Sequence, residues 1–230
     1  MNPSEENGNL VADAGDVANP VSVSGNIFRY SIPGCVQTLL YPFPIPDWYP
    51  RERHELYQGF RMDVVLRDHE SPSKDNEVDA FLDFVGPKSS RLLQQVGLPP
   101  LTREYVDRSN TCCFMAIKRH TEDFPIAQLM VDVYRVTQAD GTASRPMPFI
   151  HKIIVDERHK NDGCYWSNIL VYTLLRDFVA LHVEVHAAVE ADDTELGGWY
   201  ENMFFVCAGE RNGVRDYVYR AHPNVYRARD

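Results

Sequence analysis

The sequence predicts a mixed α/β sheet, and three observations carry that prediction. Segments with strand and helix patterning follow one another in the order β, α, α, β, β, β, α, β, α, β, β. The chain has 230 residues, 44% of them hydrophobic and 11% aromatic, enough for one large domain with a sizeable core. Near its end two strand-like stretches flank Asn212-Gly213, the strongest short hairpin signal.

Taken in order, residues 1–25 are rich in Asn, Ser, Gly, Asp and Glu and poor in large apolar side chains, which reads as a disordered acidic tail. Residues 26–56 are a proline- and aromatic-rich lead-in. Its stretch YPFPIPDWYP is too dense in proline for a helix and favours an extended path, with Tyr41, Phe43, Trp48 and Tyr49 laid along the domain surface. GFRMDVVLRD (59–68) alternates like a strand. In SKDNEVDAFLDFVGP (73–87), Val78, Phe81, Leu82 and Val85 have helical spacing, and Gly86-Pro87 reads as the stop. SSRLLQQVGLPP reads as a second short helix and TREYVDRS as a third candidate. TCCFMAIKR (111–119) and FPIAQLMVDVYRV (124–136) form a strand pair, linked by the short polar run 120–123. QADGTASRPMP reads as a loop, and FIHKIIVD (149–156) as a strand. Residues 164–180 are apolar nearly all round, the mark of a helix covered on most sides. LHVEVHAAVEA is the next strand. Asp192 or Asp193 can cap a short helix through Glu201, before the closing strands FFVCAGE and VRDYVYRA.

Charge and cysteine content narrow the function classes. The formal net charge is -10, with no lysine- and arginine-rich block, so a nucleic-acid partner has no electrostatic support. The acidic balance mildly favours a cationic substrate such as an amine. The five cysteines, Cys35, Cys112, Cys113, Cys164 and Cys207, lie mostly in apolar stretches, with no C-x-x-C and no zinc spacing with histidine. They read as reduced thiols, with no metal site implied. With no apolar signal core and no bilayer-length run, the expectation is a cytoplasmic or nuclear protein away from membranes.

The most informative stretch is HKIIVDERHKNDGCYWSNILVYTLL (151–175): an apolar strand, a polar loop with one glycine, and an apolar helix. Free amides and the dipole at a helix start favour an anion in such a loop. Asn161-Asp162-Gly163 is equally a good turn without any ligand.

These features together resemble the GNAT superfamily of acyl-CoA-dependent N-acyltransferases, over roughly residues 57–220. In that family a central strand ends in valine and leads into a loop of pattern Arg/Gln-x-x-Gly-x-Gly/Ala that opens a helix. Here Val155 leads to Lys160-Asn161-Asp162-Gly163-Cys164-Tyr165. Trp199-Tyr200-Glu201-Asn202-Met203-Phe204 is similar to the family's Tyr-Glu-Lys-x-Gly-Phe segment. The family's asparagine seven residues upstream of that tyrosine corresponds to Asp193. Three departures stand out. Tyr165 replaces a small residue where backbone approaches phosphate, Asp162 adds negative charge there, and Phe204 stands at a glycine position.

The resemblance implies a GNAT-like mixed, mostly antiparallel twisted sheet of six to seven strands, with a splayed central parallel pair and flanking helices. It assigns 57–230 as the N-acetyltransferase domain. Acetyl-CoA would be the cosubstrate. Its pantetheine would pair with backbone near Ile153 and Val155, and its pyrophosphate would lie on loop residues Lys160, Asn161, Asp162, Gly163, Cys164 and Tyr165. Tyr200 would protonate the leaving thiolate. His151 would lie on the path that removes the substrate proton, as in arylalkylamine-type members. Strand alternation would put His151, Ile153 and Val155 on one face; Asp132 and Glu184 are the other candidate bases. The acceptor would be a small amine, or a lysine or N-terminus on a protein, and residues 1–56 are the candidate surface for a protein partner. The alternative, motivated by Asp162 and Tyr165, is a GNAT-fold binding or scaffold protein without turnover.

Overall fold

The computed structural model describes residues 36–40, 51–66, 74–108, 111–136, 145–179 and 184–220. The tail 1–25, the aromatic stretch 41–50 and the histidines at 69, 182 and 222 lie outside them. The chain runs β1 (Val36–Leu40), a 3-10 helix (Arg51–Tyr57), β2 (Phe60–Leu66), α1 (Lys74–Gln95), α2 (Arg103–Arg108), β3 (Thr111–Arg119) and β4 (Ala127–Val136). It continues through β5 (Arg145–Val155), a second 3-10 helix (Glu157–His159), α3 (Trp166–Val179), β6 (Val185–Glu190), α4 (Thr194–Asn202), β7 (Val206–Arg211) and β8 (Val214–Tyr219). No helix among the described residues is long and apolar enough to cross a membrane.

Among the described residues one eight-stranded sheet holds all the strands, in the order β1-β2-β3-β4-β5-β6-β8-β7. Every neighbouring pair is antiparallel except β5 and β6. The count exceeds the expected six to seven because the lead-in supplies β1, paired with β2 from Val36↔Val65 to Leu40↔Arg61.

Strand alternation sends side chains to two layers. Met62 and Val64 of β2, Met115 and Ile117 of β3, and Leu129 and Val131 of β4 join Ile169, Leu170, Val171, Leu174 and Leu175 of α3 in the larger core. The nearly all-apolar α3 is therefore covered as its composition requires. On the other face Val65, Phe114, Ala116 and Met130 meet Val78, Phe81 and Val85 of α1 and Val106 of α2. Each fully buried side chain of this size contributes on the order of 1.5–3 kcal/mol.

Two boundaries differ from the sequence expectation. Gly86-Pro87 does not end the first helix: α1 is a single helix of 22 residues with Pro87 inside it. Proline removes one intrahelical donor, and the hydroxyls of Ser89 (3.3 Å) and Ser90 (2.8 Å) donate to the Gly86 carbonyl beside it. Burial of Leu92 and Leu93 against Ile154 then holds the second half of the helix on the sheet. The other difference is β5, which starts at Arg145 and runs through Pro146 and Pro148, a stretch expected to be loop. Its register with β6 covers only Phe149 and Ile150, so prolines upstream interrupt no ladder on that side.

Candidate functional site

The site is organised by one irregularity in β5. Along β4 the register steps from Met130↔Lys152 to Val131↔Ile150, which makes His151 the extra residue of a β-bulge. A bulge bends its strand. Parallel pairing with β6 is confined to Phe149↔His186 and Ile150↔Ala187, immediately before the bulge. Beyond it β5 continues to Val155 and β6 to Glu190 without pairing to each other. The two strands therefore part, and among the described residues β5 positions 152–155 make no pairing to β6.

The bulge also corrects the expectation that His151, Ile153 and Val155 share a face. Ile153 and Val155 pack against the core on the α3 side. His151 Nδ1 instead lies 3.8 Å from Asp132 Oδ2, and Asp132 alternates with Val131 of that core. Burial lowers the His151 pKa from its ordinary value, Asp132 opposes the shift and Lys152 adds to it. Glu184, the other candidate base, pairs with His186 (3.7 Å) and Arg220 (3.0 Å).

The loop after β5 is tied down by its own acids. The Asp156 carboxylate, buried, accepts from the Arg158 backbone N–H (3.0 Å), the Arg158 side chain (3.0 and 2.8 Å) and Arg91 of α1 (3.2 Å). Lys160, the expected cation of the cradle, pairs with Glu157. Asp162 Oδ1 accepts from the Cys164 backbone N–H (2.9 Å), and Oδ2 accepts from Trp166 Nε1 (2.8 Å) and lies 3.0 Å from His159 Nδ1. Burial alone would raise the Asp162 pKa, but these hydrogen bonds outweigh it and hold the carboxyl below its ordinary range. Cys164 is a buried thiol whose pKa is pushed up to about 12, chiefly by burial and then by Asp162, so it is no nucleophile.

The backbone turns into α3 through two left-handed residues, Gly163 (φ 79) and Tyr165 (φ 49). Only glycine takes this conformation freely; at Tyr165 it costs on the order of 1–2 kcal/mol. The turn throws the Tyr165 ring outward. It is 53% exposed, with the Arg53 guanidinium 5.7 Å from its centroid. Asn161, between Lys160 and Asp162, lies on the exposed part of the turn.

Tyr200 comes from α4 into the same core as Ile153, Val155 and Cys164. Its ring stacks on Tyr217 (5.8 Å) and meets Trp199 (4.9 Å) and Phe205 (5.1 Å) edge-on. Burial raises its pKa well above the ordinary tyrosine value, which keeps the phenol protonated. Asp193 caps α4, its carboxylate accepting from the Leu196 N–H at 2.9 Å. Five of the expected site residues thus divide between the two faces of the sheet. Tyr200, Ile153, Val155 and Cys164 share the α3-side core, while His151 belongs with Asp132 on the other face.

A sheet with a single parallel pair, splayed beyond a bulge and followed by a loop and helix, decides the architecture. The fold is GNAT-like. No family model and no curated protein matches the sequence. Among solved structures, the chain is similar to NAA60 of Arabidopsis thaliana in complex with acetyl-CoA, at 12% identity and TM-score 0.44, over 58% of this chain and 92% of that one. A GNAT-family acetyltransferase of Listeria monocytogenes matches at 13% identity and TM-score 0.43, over 70% and 95% of the two chains. A Pyrococcus horikoshii protein matches at 15% identity and TM-score 0.41, over 70% and 99%.

Several contacts around this loop were not legible in the sequence. The lead-in's 3-10 helix docks on the loop: Arg53 Nη1 donates to the Gly163 carbonyl (3.3 Å) and the Tyr57 hydroxyl to the Cys164 carbonyl (2.5 Å). Trp199 Nε1 donates to Asn168 Oδ1 (2.9 Å), joining α4 to the first turn of α3. These partners are far apart in the chain, and no local pattern announces them. The Asp162–Trp166 contact did have a signal, an aspartate in a turn four residues before an indole at a helix start.

Proposed function

We propose that this chain is an acyl-CoA-dependent N-acyltransferase, acetyl-CoA being the natural donor to test first and a primary amine the acceptor. The observation that carries the reading is the edge of β5 from 152 to 155, which makes no pairing to β6 among the described residues. An exposed strand edge offers backbone N–H and C=O groups to an extended ligand, and the amide-bearing pantetheine arm is such a ligand. The donor would supply an activated acyl thioester. Ile153 and Val155 would hold its arm, and the backbone from Lys160 through Asn161, Asp162, Gly163, Cys164 and Tyr165 would face its polar end. His151, neutral at pH 7, would accept the amine proton, with Asp132 behind it. Tyr200, kept protonated by burial, would donate to the departing thiolate. Asp193 would act at one remove, by holding the first turn of α4. The acceptor class is a small amine or an amine on a protein.

The test is a thermal-shift titration with coenzyme A, followed by acetyl transfer to a panel of amines by the parent and by Tyr200→Phe. Binding at about 100 times Kd stabilises by about 2.7 kcal/mol. The Tyr200→Phe variant should keep that shift and lose about 10²-fold or more in turnover. Full activity in Tyr200→Phe would remove the proton-donor role.

A second reading has its own observation. The Asp162 carboxylate already takes the Cys164 N–H, one of the amides the pyrophosphate needs. A GNAT-fold scaffold that binds no donor predicts no shift at millimolar coenzyme A.

A further inference from the structure

We infer that the Asp162 carboxylate is the resident anion of the 160–165 loop, so that this chain takes its acyl donor by the pantetheine arm and gains little from the donor's diphosphate. The inference rests on the transferase reading above and names the kind of donor the site favours: an acyl pantetheine, with or without a nucleotide attached.

The geometry is that of an occupied anion site. One oxygen accepts from a main-chain N–H of the loop, at Cys164. The other accepts from the Trp166 indole N–H and faces His159 Nδ1. The indole is not free to leave. Trp166 is 2% exposed and its ring is wedged between Tyr57 (5.3 Å) and Phe60 (4.7 Å). Displacing the carboxylate would strand a buried N–H donor, which is costly. A diphosphate arriving beside an undisplaced carboxylate meets like charge instead.

The surroundings do not reverse this balance. Residues 156–162 carry three acids, Asp156, Glu157 and Asp162, against two permanent cations, Arg158 and Lys160, with His159 facing Asp162. Arg158 is engaged by Asp156, and Lys160 by Glu157. Two further cations reach the loop: Arg91 is engaged by Asp156, and Arg53 donates to the Gly163 carbonyl and lies against the Tyr165 ring. The β5 edge that would take the arm lies outside this network, so arm and diphosphate can be judged separately.

Calorimetric titration of the full chain and of Asp162→Asn, each with coenzyme A and with pantetheine, tests this. In the parent the two ligands should bind with affinities within about threefold, because the diphosphate adds nothing. In Asp162→Asn coenzyme A should bind at least about tenfold more tightly than in the parent while pantetheine is unchanged, since a repulsive charge has gone. Pantetheine is the internal control for folding, and Asp162→Ser serves as the second variant. Parent protein that binds coenzyme A more than about tenfold tighter than pantetheine overturns the inference and leaves the transferase reading intact. Equal binding in the parent that neither variant alters also overturns it. Binding of neither ligand brings down both.

Discussion

At His151 the local backbone decides what the imidazole can do. Counting by twos along β5 places it with Ile153 and Val155, and an uninterrupted strand would have obeyed. The extra residue moves it to Asp132, at 3.8 Å. No pattern in FIHKIIVD marks that bulge, so the residue was legible from the sequence as a candidate while its face was not. Burial holds its pKa below the ordinary 6.5 despite Asp132. The sign follows directly. A depressed histidine pKa means the fold prefers the neutral ring, so its stabilising contribution is complete above pH 6.5 and falls away as pH drops through the lower folded value. On the proposed reading, kcat/KM should rise with pH along an acid limb whose midpoint lies below 6.5, then level off at neutral pH. His151→Gln should lower the plateau by about 10²-fold and abolish the limb. A pH–rate profile of the variant that keeps the limb would reassign the proton acceptor.

At the scale of elements, the sequence was most informative where one residue controls a terminus. The cap of α4 was legible to within one residue, as Asp192 or Asp193, because acidic side chains directly precede the helical run; the structure uses Asp193. The other end of α4 was less legible. The Phe205 N–H reaches back to the Tyr200 carbonyl and the Phe204 N–H to the Glu201 carbonyl, with Tyr200 and Phe205 in ring contact. That is a Schellman ending. Its left-handed position falls on Phe204, at φ 66, the place where the family resemblance has glycine. The ring there is 67% exposed, so little packing offsets the backbone strain. Phe204→Gly should therefore stabilise the protein by about 1 kcal/mol, a rise of roughly 2–4 °C in Tm. A lower melting temperature for Phe204→Gly would mean that the exposed ring packs better than its accessibility implies. In α1 the strongest breaker pair, Gly86-Pro87, was overruled by burial on either side of it, since Val85 and Leu92 are both fully buried. Local propensity of a few kcal/mol yields there to tertiary packing.

At the scale of the molecule, the class of fold was legible in the sequence, but the part played by residues 36–57 was not. The mixed sheet was legible because strand and helix periodicities alternate cleanly from residue 59 onward. The lead-in was not, because a 3-10 turn and an edge strand carry weak periodic signals. Yet the 3-10 helix Arg51–Tyr57 is tied to the loop: Tyr57 is fully buried, its ring 5.3 Å from Trp166 and its hydroxyl on the Cys164 carbonyl. Trp166 in turn holds Asp162, so residues 51–57 are coupled to the loop through two side chains. Tyr57→Phe, which removes only the hydrogen bond, should cost about 0.5–1.5 kcal/mol. Tyr57→Ala, which opens a cavity beside Trp166, should cost about 3–5 kcal/mol. Urea unfolding measures both, and hydrogen exchange at Cys164 should quicken more in the alanine variant than the global loss requires. The two readouts separate the roles. A large global loss with loop exchange that merely tracks it makes Tyr57 a core residue. A parent-like urea midpoint for Tyr57→Ala would mean that residues 51–57 sit on the domain without being part of it.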